Sequence, residues 1–113
     1  MTHEEFTKIN QELLDLRSKI INTQDEIHEH KLGIELWDAE EIISICDKID
    51  KLTNKPVYGN EERRKAELIL RKNASNERQK LDKFLAKLIK ELNEMKAQEE
   101  FLENDIKWIL LGG

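Results

Sequence analysis

From Phe6 onward, apolar residues return at alternating steps of three and four: Phe6, Ile9, Leu13, Leu16, Ile20, Ile27 and Ile34, with Thr23 and His30 as the polar members of the series. The second half repeats the alternation through Leu81, Leu85, Leu88, Leu92, Met95, Leu102, Ile106 and Ile109, with Glu99 as its polar member. This spacing lines one face of an α-helix with a narrow apolar stripe, the seam of a coiled coil. The two stripes mirror each other. If the chain folds back so that Phe6 faces Ile109, the same register sets Ile9 against Ile106, Leu13 against Leu102, Ile20 against Met95, Ile27 against Leu88 and Ile34 against Leu81. Its midpoint falls between Val57 and Tyr58, inside Asn54-Lys55-Pro56-Val57-Tyr58-Gly59-Asn60. Pro56 cannot continue a helix and disfavours helical backbone at Lys55, Gly59 adds backbone freedom, and Asn60 before Glu61 and Glu62 suits a new helix start.

The pattern predicts an all-α protein with a single domain, 1–113: a long antiparallel helical hairpin of coiled-coil type. Helix 3–54 opens on the capping-box residues Thr2 and Glu5, a turn covers 55–60, helix 61–110 returns, and 111–113 form a flexible tail. Ile34 to Ile45 and Leu70 to Leu81 each span eleven residues, a stutter at matching heights that locally unwinds a supercoil. It sets Ile45 against Leu70, and beyond it Ile49 against Ala66. Asn73-Ala74-Ser75-Asn76 is the weakest helical stretch of the second arm and the place where it frays, kinks or splits.

Beside the seam lie more apolar residues than a two-helix hairpin can bury. Leu14 and Ile21 flank it on the first helix, Phe101 and Trp108 on the second, and the expectation is that all four share one side. Two large aromatics next to a seam favour a partner surface, so the chain is expected to dimerise into a four-helix assembly.

Composition supports solvated helices: 38% of residues are charged and only 5% aromatic. Net charge is −5, which argues against coating nucleic acid wholesale. The charge is uneven. Between Lys48 and Lys72 stand Lys48, Lys51, Lys55, Arg63, Arg64, Lys65, Arg71 and Lys72 against Asp50, Glu61, Glu62 and Glu67, a surplus of +4 that leaves −9 for the remainder. Lys55, Tyr58, Arg63, Arg64, Lys65, Arg71 and Lys72 therefore form a candidate contact at the turn, with Tyr58 available for stacking. Glu61 and Glu62 in the same patch weigh toward an ordinary solvated turn.

Catalytic chemistry finds no foothold in the pattern. His28 and His30 are two residues apart and diverge on a helix, and Asp25-x-x-His28 has no histidine on the second helix to complete a metal motif. His30 falls on the seam opposite Leu85. Cys46, the only cysteine, reads as a small buried hydrophobe, and its solitude suits a reducing, cytoplasmic setting. No apolar run is long enough to span a bilayer and no signal-peptide pattern precedes the first helix. No cofactor, metal, membrane or small-molecule substrate is expected. Leu110-Leu111-Gly112-Gly113 carries no function.

The turn itself, Lys55-Pro56-Val57-Tyr58-Gly59-Asn60-Glu61-Glu62-Arg63-Arg64-Lys65-Ala66, resembles that of small uncharacterised coiled-coil hairpin proteins of bacteria and their phages. The resemblance implies an accessory protein of a phage or mobile element, near DNA recombination, and transfers no site residue. The leading functional expectation is a non-enzymatic coiled-coil adaptor that self-associates and binds a macromolecular partner. The alternatives are a nucleic-acid-binding accessory using the basic turn, and an acidic inhibitor of a nucleic-acid-binding protein.

Overall fold

The computed structural model describes residues 2–112. The protein is all-α: α1 (His3–Asp47), α2 (Glu61–Ala74) and α3 (Asn76–Leu110). The capping box at the start of α1 is closed from both sides, with the Glu5 amide donating to Thr2 Oγ1 at 3.2 Å and the Thr2 amide to Glu5 Oε2 at 3.4 Å.

α1 stops at Asp47, seven residues short of the expected 54, because the following segment has better uses for its backbone. The Val57 amide donates to the Lys48 carbonyl and the Asp50 amide to the Lys55 carbonyl, both at 2.9 Å, around an antiparallel bridge between Ile49 and Pro56. In such a bridge the paired residues exchange no hydrogen bonds and their neighbours carry them, so the missing N–H of Pro56 costs nothing there. The Asp50 carboxylate accepts the Leu52 amide at 2.8 Å, the Asp50 carbonyl accepts the Asn54 amide at 2.8 Å, and Asn54 takes the left-handed backbone that asparagine tolerates, with φ 55°. Ile49 consequently sits exposed in this loop rather than facing Ala66.

The second arm is split by one residue. Ser75 adopts extended backbone, donates its amide to the Arg71 carbonyl to close α2, and accepts the Arg78 amide on Oγ at 3.1 Å to open α3. Asn60 caps α2 in the same manner, its side chain accepting the Arg63 amide at 2.8 Å. At the end of α3 the Gly112 amide donates to the Ile109 carbonyl and Gly112 has φ 78°, so Leu111 and Gly112 form a closing turn in place of the expected loose tail. Gly113, the last residue of that tail, lies outside the described residues.

Contacts gather the chain into two units: Met1–His28 with Ala86–Gly113, and Glu29–Leu85. In the first, Leu13, Leu16, Ile20 and Leu102 form the buried core, with Ile9, Leu92, Met95 and Ile106 packed against it. Asn10 and Arg17 share a groove with Glu103 and Lys107, whereas Asn22 and Glu26 share one with Glu91 and Gln98, so within this unit α1 and α3 run antiparallel. In the second unit Ile45 is the most buried side chain, at 1% exposure, and shares a groove with Ile42, Cys46 and Leu68. The His30 ring meets Phe84 with centroids 4.5 Å apart, in place of the expected Leu85. Leu70 is 63% exposed and is not the partner of Ile45.

Seam and flank separate cleanly between adjacent residues in this geometry. Leu13→Ala is expected to lower unfolding free energy by roughly 2–4 kcal/mol through the cavity it leaves. Leu14→Ala should change it by no more than about 0.5 kcal/mol in the monomer. Urea titrations of the two variants at low protein concentration check the contrast; equal losses would place the seam elsewhere.

Candidate interaction surfaces

At the level of the stutter, apolar residues give way to charge. Arg78 is 6% exposed and is the buried charged residue among the described residues. Its guanidinium donates to Asp38, to Asp82 at 3.0 Å and to the Ile34 carbonyl at 3.4 Å, and lies over the Trp37 ring at 5.2 Å. A buried guanidinium is tolerable only when its donors are met, and a planar cation stacks well on indole. Next to it, Arg71 donates to Glu41 at 2.8 Å, to Glu67 at 3.0 Å and to Ser44 at 3.1 Å, while Lys72 pairs with Asp38 at 3.7 Å. The hydrogen bond to Glu41, then that to Glu67, raises Arg71 above its ordinary value. Its partner Glu67 is held below the usual carboxylate range chiefly by the hydrogen bond from Arg71, with Tyr58 and Lys48 adding to it.

This layer removes residues from the contact expected at the turn. Arg71 and Lys72 are spent on carboxylates within the fold, Lys65 pairs with Glu61 at 3.1 Å, and Arg64 Nε donates to the Tyr58 carbonyl at 3.2 Å. Tyr58 is half-buried, which withdraws it from stacking. Lys55, Arg63, Arg64 and Lys65 remain exposed, the last two despite these contacts, and are joined by Lys48 and Lys51. A side chain that sequence reasoning passed over completes this surface: Leu52, at 97% exposure.

Leu14, Ile21, Phe101 and Trp108 are all half or more exposed, the aromatics at 66% each. They do not share a side. Leu14, Arg17 and Ile21 follow one another at i, i+3 and i+7, hence one face, and Arg17 reaches Glu103 at 2.8 Å and Glu99 at 3.4 Å. Phe101 stands in the same relation to Gln98 and Glu94, which line the other groove with Asn22 and Glu26. Because antiparallel helices run opposite ways, the residue after a seam position on one and the residue before a seam position on the other fall on opposite flanks. The pair of hydrogen bonds to glutamates, that to Glu103 foremost, raises Arg17 above its ordinary value.

Cys46 is exposed, and Ile45 beside it takes the interior position. His28 lies on the surface. Among the described residues no group of three or more His, Cys, Asp and Glu side chains is placed to hold a metal ion, and no helix is long and apolar enough to cross a membrane. Comparison with family models, with curated proteins and with solved structures gives no match.

Arg78→Ala is expected to destabilise the fold by about 2–3 kcal/mol, less than for a wholly enclosed pair because Asp38 and Asp82 keep some access to water. Chemical denaturation reads this directly. Glu67 titrates lower folded than unfolded, so it contributes stability that is present above its unfolded value, about pH 4.3, and is lost as pH falls through the folded value. Thermal melts of Glu67→Gln should therefore lie below wild type at neutral pH and converge with it in acid. A gap that persists unchanged at low pH would refute the assignment.

Proposed function

We propose that the protein is a non-enzymatic adaptor of antiparallel coiled-coil type that self-associates, as a dimer, and presents its remaining surface to a macromolecular partner. The observation that carries this reading is the exposure of Leu14, Ile21, Phe101 and Trp108 on a pair of helices whose own seam is already filled. Exposed leucines and isoleucines are ordinary when scattered; here Leu14 and Ile21 recur at seven-residue spacing on one flank, and Phe101 and Trp108, of a residue class enriched at protein interfaces, recur at the same spacing on the other. The flank bearing Leu14 and Ile21 suits an isologous contact, in which the same surface of each copy meets across a two-fold axis.

A surface that gathers copies and leaves others free is the physical requirement of an adaptor, and an accessory role in a phage or mobile element is the setting that the likeness of the turn suggests. An exposed Cys46 stays a thiol only in a reducing compartment, which supports a cytoplasmic location. The nucleic-acid reading is weaker, since it would rest on Lys55, Arg63 and Arg64 without Arg71, Lys72 or a free Tyr58.

Substituting Leu14 and Phe101 together by glutamine should convert the protein to a monomer while circular dichroism stays helical. Sedimentation equilibrium measures the mass; an oligomer unchanged by both substitutions would refute the interface.

A further inference from the structure

Leu52 presents an almost fully exposed aliphatic side chain from a segment whose backbone is fixed. Its own amide is held by the Asp50 carboxylate, and the bonds Asp50 to Lys55, Asn54 to Asp50 and Val57 to Lys48 tie down the turn on either side. An apolar group held in water by a pre-formed turn is a binding anchor that loses little conformational freedom when covered. Lys48, Lys51 and Lys55 share its loop, all exposed, and none of them enters an ion pair among the described residues. The element is thus apolar at its centre and basic at its rim.

The complement of that chemistry exists on the same chain. An open groove of the first unit, about 480 Å³, is lined by Glu26, Glu91, Glu94 and Met95, with Lys19 as the one cation of its lining and Lys87 4.0 Å from Glu91. Phe101 follows the lining residue Gln98 by one helical turn on the same flank, Trp108 lies one heptad further along, and each is 66% exposed. This first unit carries seven basic and twelve acidic residues, a net −5, whereas the second carries twelve of each. Nucleic acid suits the loop less well: an exposed leucine has no contact to offer phosphate, and among the described residues no exposed aromatic lies on the loop for bases to stack on.

We propose that the occupant of this groove is a second copy of the chain: the 48–55 loop of one copy seats Leu52 over Met95 and beside Phe101 of another, with Lys48, Lys51 and Lys55 against Glu26, Glu91 and Glu94. The inference rests on the self-association reading and specifies a second, heterologous contact for it, on the flank opposite Leu14 and Ile21. It explains why an exposed leucine sits among lysines, and why aromatics and carboxylates share one flank. The charged rim steers the encounter and sets its specificity, and the leucine supplies the desiccated centre.

Two charge-reversed proteins test it: Lys51→Glu with Lys55→Glu, and Glu91→Lys with Glu94→Lys. All four positions are exposed, so both variants should stay folded, which circular dichroism verifies. Sedimentation velocity at low and high salt is expected to show wild-type association that weakens with salt. Each reversed variant alone should associate at least about tenfold more weakly, as loss of the exposed charge pairs and of the leucine contact implies. An equimolar mixture of the two should recover wild-type association, because their reversed charges match. Leu52→Ser should weaken association without altering its salt dependence. If wild type self-associates and the reversed variants do so equally well, or the mixture fails to recover, the loop contact is overturned while self-association stands. A wild-type protein that remains monomeric throughout overturns both.

Discussion

Burial of a stripe one side chain wide holds α1 to its partner helices. In the unit built from the chain's two ends, Leu13, Leu16, Ile20 and Leu102 leave water almost completely, and each step of three or four residues returns another side chain to the same line. A shift of one or two residues along so narrow a stripe would turn its apolar residues out of the seam. The polar layer of the other unit works under the same constraint. Where Trp37, Asp38 and Glu41 come to face Arg71, Lys72 and Arg78, apolar packing is replaced by charge, and every donor of the buried guanidinium must find its acceptor. An ion pair of this type adds little net stability over apolar packing. Its consequence is directional: only one alignment of the two arms brings Arg78 to Asp38 and Arg71 to Glu41.

The break at Ser75 belongs to the same logic. An extended residue inside a long arm interrupts the helical hydrogen bonds, yet Ser75 closes α2 with its amide and opens α3 with its hydroxyl, so each new end gains a capping bond. It lies between Arg71 and Arg78, the two arginines of the layer. Helix interruption and polar packing thus coincide where the seven-residue pattern gives way to an eleven-residue step.

Much of the fold was legible because the seam is written in apolar residues. Phe6 to Ile34 and Leu81 to Ile109 are the shielded positions of their helices, including the polar members Thr23, His30 and Glu99. The polar layer was not legible in the same way, since Asp38, Glu41, Arg71 and Arg78 resemble any other charge in a chain that is 38% charged. A usable signal was present: opposite charges at nearly mirrored heights inside the two eleven-residue steps. Apolar character alone does not bury Leu70, which stands beside the ionic layer, nor Cys46, whose neighbour Ile45 holds the interior position. The early end of α1 depended on side-chain to backbone bonds of Asp50, which compete with a helix in a manner no periodicity reveals. The flanks were confused for a geometric reason. Residues at equal height on antiparallel helices are neighbours along the axis and still face apart.

The most direct test of the account is intramolecular cross-linking across the antiparallel register. In a Cys46→Ser background, Arg17→Cys with Glu103→Cys should be bridged within single chains by a short bifunctional thiol reagent, as should His30→Cys with Phe84→Cys. Arg17→Cys with Ile89→Cys, two heptads away from Glu103 along α3, should remain unbridged. Bridging of the shifted pair at the rate of the matched pair would contradict the alignment on which the seam, the ionic layer and both flanks depend.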